Sequence, residues 1–233
     1  MISLLYLDER LVALDKPAGL LSTPSTEAPD RVTCLSLVRD HLGHRVYPIH
    51  RLDRATSGVL LFGRTPEAAG EEALRFREHR VRKAYLALVR GWVDDEGEID
   101  YPVEGAREGV RVEALTRYRR LGRVEVATPV GRYATARYSL VEASPVTGRR
   151  HQIRRHFKHL RHPLLGDPDY GDTHHNRFFR DRFGFRRLML HAWTLELPLA
   201  PGELLRIQAP VPAEMTRVFE DLGLEVPDPA GKG

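Results

Sequence analysis

Cysteine occurs once in the 233 residues, at Cys34. A single thiol excludes an internal disulfide and a cysteine-based zinc cluster, and it suits a reducing cytoplasm. Long apolar runs are missing: none approaches the ~20 residues that a bilayer-spanning helix needs. The opening stretch MISLLYLDERLVALDKPAGLL has no basic region before its apolar residues, and acids interrupt them, so it does not read as a signal peptide. There is no glycine-rich phosphate loop either. Neither GxGxxG nor GxxxxGK(S/T) occurs, which argues against a nucleotide cofactor. The serine of TSG sits in no GxSxG elbow, which argues against a serine hydrolase. No internal repeat or low-complexity tract is visible.

What the chain does have is a core composition and charge gathered in one place. Hydrophobic residues make up 42% and charged residues 29%, the balance of a globular protein with a real core. The formal net charge is only +4. Between Arg149 and Arg187, however, eleven Lys and Arg stand against four Asp, a local balance of +7 that leaves −3 for the remainder. Positive charge concentrated on an otherwise slightly acidic body fits a polyanionic partner. A solvated, charge-rich helix and loop would look the same by charge alone.

LLYLDERLVALDKP reads as two short strands around a turn at Asp8–Arg10, closed by Pro17. GLLSTPSTEAPD is a loop. VTCLSLVRDHLG has helical spacing, with Leu35, Val38 and Leu42 on one face and Gly43 as its stop. GVLLFGRT is a buried strand, and PEAAGEEALRFREHRV a helix with Pro66 in its first turn. RKAYLALVRGWV alternates as a strand, with Tyr85, Ala87 and Val89 on one face. Short strand patterns follow up to PVTG. RRHQIRRHFKHLRHP then reads as a helix stopped by Pro163, LMLHAWTLELP and LLRIQAPVP as late strands, and AEMTRVFEDLG as a closing helix. Many strands and few long βαβ units point to the α+β class with a mixed, largely antiparallel sheet.

Three constellations could carry chemistry. In IHRLDRATSGVLLF, Asp53 lies between Arg51 and Arg54 at the mouth of the buried strand. Flanking arginines favour a charged carboxylate, which can be a nucleophile, a base or an ion-pair partner. A purely structural Asp–Arg bridge is the other reading. Tyr85 is either a core tyrosine or a platform for an unstacked base. In GRRHQIRRHFKHLRH, Ile153, Phe157 and Leu160 form an apolar stripe, with Arg150, Arg154, Lys158 and Arg161 as a basic stripe beside it, suited to a phosphate backbone. His151, His156, His159 and His162 spread around the same wheel with no acid or cysteine among them, which argues against a metal site. DTHHNRFFRDRFGFRR, with Arg177, Arg180 and Arg182, shows no strand-like alternation. It reads either as a substrate-gripping insert, its arginines on phosphates and an aromatic or two against a base, or as a surface loop with its phenylalanines in the core.

HRLDRATSGVLLF, RKAYLALVRG, GRRHQIRRHFKHLRHPLLGDPDYGD and LMLHAWTLELP resemble, in this order, the motifs of the RluA-type pseudouridine synthases, over about Leu5 to Leu222. The HNRFFRDRFG stretch, the doubled arginine of GRRHQ and the short N-terminus look most like the branch that modifies position 65 of tRNA, the TruC type. Many relatives have GRTHQ where this chain has Arg150. The resemblance implies the pseudouridine synthase fold, with a central sheet, flanking helices and an active-site cleft. It implies isomerisation of uridine to pseudouridine in RNA, without cofactor or metal. Asp53 is then the nucleophile. Tyr85 packs on the target base and is the base for its C5 proton. Arg154 pairs with the aspartate and helps fill the space of the flipped nucleotide, and Leu190 lines the base pocket. Arg51, Arg54, Arg150, Lys158 and Arg177 are expected to bind the RNA.

The expected organisation is one catalytic domain over 1–224, with no S4-like RNA-binding domain and a frayed tail over 225–233. The chain is expected to work in the cytoplasm as a monomer, with tRNA as partner and no membrane. A ribosomal-RNA pseudouridine synthase is the alternative within the family. An RNA-binding protein without catalysis is the alternative outside it, although a pure binder has no need of Asp53.

Overall fold

The computed structural model describes residues 2–24, 32–105, 107, 109–200 and 202–226. Residues 25–30 of the expected loop 19–30 lie outside the described residues, as do 227–233 of the expected frayed tail 225–233. In chain order the elements are β1 (Leu4–Leu7), β2 (Leu11–Lys16), α1 (Cys34–Leu42), β3 (Tyr47–Pro48), β4 (Ser57–Gly63), α2 (Pro66–Arg77), β5 (Arg82–Arg90), β6 (Glu96–Asp100), β7 (Val103–Glu104), β8 (Arg111–Val112), β9 (Leu115–Val126), β10 (Ala136–Pro145), α3 (Gln152–His159), α4 (Thr173–Phe183), β11 (Leu190–Ala200), β12 (Glu203–Gln208) and α5 (Ala213–Asp221). Among the described residues no helix is long and apolar enough to cross a membrane. The chain divides into two compact units, Met1–Lys83 with His191–Pro210, and Ala84–Leu190 with Val211–Gly233.

The first unit is organised by β4. All seven of its residues are buried, and its four large apolar side chains, Val59 to Phe62, contribute at most about 6–12 kcal/mol of hydrophobic stabilisation. Strand β2 pairs with it antiparallel from Leu11↔Gly63 to Lys16↔Gly58, and β1 extends the sheet beyond β2. On its other side β11 pairs parallel to β4 at His191↔Ser57 and Ala192↔Gly58, and β12 pairs antiparallel with β11. Leu11, Ala13, Val59, Leu61, Leu195 and Ile207 form the core of this unit. The chain turns from β4 into α2 where Thr65 caps the helix through Ala68 N–H at 3.2 Å and Pro66 occupies its first turn.

The second unit carries the antiparallel order β5–β10–β9–β6 and the separate hairpin β7–β8. The expected short strands before PVTG are in fact long in two cases: β9 has 12 residues and β10 has 10. Strand β5 forms where it is expected, and Leu86 to Val89 are buried on both of its faces. The DTHHNRFFRDRFG stretch is a helix, not a loop. Asp172 accepts from His174 and His175 N–H at 2.9 and 3.3 Å, and Gly184 ends the helix with φ 66°. Phe179 and Phe185 are in the core with Tyr138, Leu140, Met189 and Phe219, and Phe178 and Phe183 pack against it.

Candidate active site

Asp53 is held by its loop rather than by a strand. Ser22 brackets the preceding residue: its Oγ accepts from Leu52 N–H at 3.0 Å and donates to Leu52 O at 2.9 Å. The following residue is fixed twice. Arg54 O accepts from Gly19 N–H at 2.7 Å and from the Lys16 ammonium at 3.1 Å, while Arg54 Nε donates to Gly19 O at 2.9 Å. Lys16 is fully buried and also donates to Pro17 O at 2.9 Å. A buried ammonium needs such acceptors, because an unpaired one would be costly to bury. Asp53 O accepts from Thr56 N–H at 3.1 Å, closing the turn into β4. The carboxylate is thus presented at a fixed place, half-buried, with Arg51 and Arg54 exposed beside it. His50, one residue before Arg51, stacks on Phe76 at 4.7 Å and accepts from Leu61 N–H at 3.1 Å. Desolvation, then the charge of Lys83, push its pKa down, so this ring is a neutral prop.

The TSG and LHA motifs meet where β4 pairs with β11. Ser57 Oγ and His191 Nδ1 are 2.9 Å apart and buried. Gly58 has φ +111°, and a Cβ there would sit 2.1 Å from Ala192 O. Only glycine allows both that backbone angle and that approach. Leu190, the first residue of β11, is buried.

In the second unit Tyr85 lies on β5 opposite Ala143 of β10 and is half-buried. Arg154 departs from the expected basic stripe: it points inward and is only 3% exposed. Its Nε and Nη2 each donate to a carboxylate oxygen of Asp167 at 2.7 Å, a fork-to-fork pair, and Nη2 also reaches Asp169 at 2.6 Å. Burial opposes ionisation of Asp167. The hydrogen bonds from Arg154 and from the backbone N–H of Tyr170 and Asp169 outweigh it and hold the carboxyl below its usual range. Asn176 of α4 tightens the loop, accepting from Gly166 N–H and donating to Asp167 O, both at 2.8 Å. Gln152 fixes the start of α3: its Oε1 accepts from the Thr147 hydroxyl and from Arg149 N–H, and its Nε2 donates to Leu115 O and to Thr116 Oγ1.

Arg150, Lys158 and Arg161 are exposed. Arg150 precedes the helix and Arg161 follows it, each next to or at a positive φ (55° at His151, 64° at Arg161), so no continuous basic stripe runs along α3. Arg177, Arg180 and Arg182 are exposed on α4. The suggestion that the phenylalanines of this segment meet a base fails for Phe179 and Phe185, which are core residues. The histidines have structural partners: His156 Nε2 on Tyr101 O, His162 Nδ1 on Arg90 O, His151 on Tyr170, His175 on Tyr138. Among the described residues no group of three or more His, Cys, Asp or Glu is placed to hold a metal ion.

The chain matches the RNA pseudouridylate synthase family over residues 10–159. It belongs to that family. The matched span carries Asp53, Tyr85 and Arg154. The chain is therefore an RNA pseudouridine synthase, an isomerase that acts on uridine in RNA. It is 45% identical to tRNA pseudouridine synthase C of Salmonella typhi over 96% of this chain and 90% of that one. With the Salmonella typhimurium protein of the same name the identity is 47%, over 90% and 85%. The fold is that of human RNA pseudouridylate synthase domain containing 4, with a TM-score of 0.75, 23% identity and coverage of 97% and 95%. Asp53 and Arg154 stand out in the sequence, but the residues around them do not: Lys16 and Ser22 on the backbone either side of Asp53, and Gln152, Asp167 and Asn176 around α3 and Arg154. The GDPDYGD stretch was the available signal, since its three acids follow closely on the five arginines between Arg149 and Arg161.

Proposed function

We propose that this chain converts a uridine of tRNA, at position 65, to pseudouridine, with Asp53 as nucleophile. The observation that carries the tRNA assignment is the likeness, at 45% identity over nearly the full chain, to relatives named tRNA pseudouridine synthase C. The reaction is an isomerisation: the N1–C1′ bond breaks, the base turns, a C5–C1′ bond forms, and the C5 proton leaves as N1 gains one. Asp53 is suited to capture or stabilise the intermediate because its backbone is fixed on both sides. Tyr85 supports the base and accepts the C5 proton. Arg154 is the immobile cation of the reaction, and Leu190 an apolar wall for the base. Arg51, Arg54, Arg150, Lys158 and Arg177, all exposed, meet phosphates and offset the unpairing cost of a few kcal/mol that extrusion of a stem base requires. In this reading the protein acts as a cytoplasmic monomer, without metal or cofactor.

The test is to incubate the protein with unmodified tRNA and ribosomal RNA transcripts and to map pseudouridine by carbodiimide treatment and primer extension. One new stop in tRNA, at position 65, is expected. Stops confined to ribosomal RNA would replace the substrate, and binding without any stop would replace the activity.

A further inference from the structure

The second unit has an open cleft of about 550 Å³ between α3 and the hairpin β7–β8 that none of the proposed catalytic side chains lines. Its centre is a column of three side chains. The His159 ring stacks on Tyr101 with centroids 3.5 Å apart and planes 15° from parallel. The Arg111 guanidinium lies 4.5 Å from the centre of the same tyrosine ring, which leaves it the face that His159 does not cover. Arg111 is further fixed by donating from Nε and Nη2 to Pro102 O at 3.1 and 2.6 Å, bonds that do not use its Nη1.

Among the described residues the charge lining the cleft is not balanced. The acid on its wall is Glu104, and Arg155 takes it up, donating to its carbonyl at 2.8 Å and lying 3.4 Å from its carboxylate. Arg111 and Lys158 are then left over: both are exposed, and neither forms an ion pair among the described residues. Tyr170 on the cleft wall accepts from Arg155 Nε at 2.9 Å, and its ring lies 5.0 Å from the Arg154 guanidinium, so the cleft adjoins that arginine. Two cations lining one cleft of nucleotide size, one of them over an aromatic ring, are the features that grip an RNA backbone.

We propose that this cleft binds a phosphodiester segment of the substrate RNA, with Arg111 and Lys158 on the phosphates and the exposed face of His159 beneath a ribose or base. The proposal rests on the reading that the substrate is RNA.

The test is equilibrium binding of an unmodified tRNA transcript over a series of salt concentrations. It compares wild type, Lys158→Ala, and Arg111→Ala with Lys158→Ala, and assays pseudouridine formation by the same wild-type preparation. Each lost phosphate contact should lower the salt slope by about 0.7–0.9, which corresponds to roughly fivefold weaker binding near ~0.15 M salt, and the double variant should show about twice the slope change. Lys158→Ala removes an exposed side chain and isolates the effect should the double variant melt early. If wild type converts tRNA while Lys158→Ala keeps its affinity and slope, the cleft proposal is overturned and the function stands. If wild type neither binds nor converts RNA, both fall. Excess inorganic phosphate should displace tRNA no better than its ionic strength predicts; specific displacement lost in Lys158→Ala would make this a site for a free anion and overturn the proposal.

Discussion

Replacing Asp167 by alanine removes the carboxylate that holds Arg154. Both side chains are almost fully buried, 4% exposed for Arg154 and 0% for Asp167. Breaking a buried ion pair by deleting one partner costs about 3–5 kcal/mol, because the other charge stays behind uncompensated. Here Arg154 keeps Asp169 at 2.6 Å, but that acid is 56% exposed and a weaker partner. Asp167 also caps the N–H groups of Asp169 and Tyr170, which lose their acceptor. The expected destabilisation is therefore about 2–4 kcal/mol, or roughly 5–15 °C in Tm for a chain of this size. Because the folded carboxyl is held below its ordinary 3.8, this contribution is fully present above that pH and is lost as the pH falls through the lower folded value. The difference between wild type and Asp167→Ala in thermal or urea melts should thus be constant near neutrality and shrink in acid. Single-turnover conversion of tRNA, measured well below the variant's Tm, should also slow by at least tenfold, because Arg154 is no longer immobile. A variant that melts within ~2 °C of wild type and turns over normally would refute the argument that Asp167 positions this arginine.

Gly58→Ala should destabilise by about 2–5 kcal/mol, summing the cost of a positive φ and of overpacking against the Ala192 carbonyl, with a large loss of soluble, cooperatively melting protein as the readout. A variant as stable as wild type would mean that β4 and β11 do not approach this closely. Tyr85→Phe keeps the ring and removes the hydroxyl, so RNA binding should persist while turnover falls by ~10²-fold or more. Quench experiments that find normal turnover would leave Tyr85 only a stacking surface.

The elements whose signals are local were legible. The β1–β2 hairpin, the buried β4 and the start of α2 at Pro66 lie within a residue or two of the expected positions, while α2 ends at Arg77, four residues before the expected Val81. Strand β5 was legible, and the apolar residues on both of its faces agree with the burial of Leu86 to Val89. Helix α4 was missed although Asp172 and Gly184 frame it, because attention to strand alternation passed over its caps. Arg154 could not be placed by a helical wheel, which assumes that charge faces water. Its partner lies 13 residues further on, in a loop whose fold depends on Asn176 and on Gly166, where φ is +71°. The carboxylate and its arginine neighbours were visible in the sequence. The bonds from Ser22, Gly19 and Lys16 that fix them join residues 30 to 38 positions apart and leave no local pattern.

The central claim is that Asp53 performs the isomerisation of a tRNA uridine. Its most direct test uses tRNA transcripts carrying tritium at uridine C5, since forming the C5–C1′ bond releases that hydrogen to water. Wild type should release one equivalent per target uridine. Asp53→Asn, folded by its melting curve and still binding tRNA, should release it at least ~10³-fold more slowly. Release by Asp53→Asn at the wild-type rate would contradict the account.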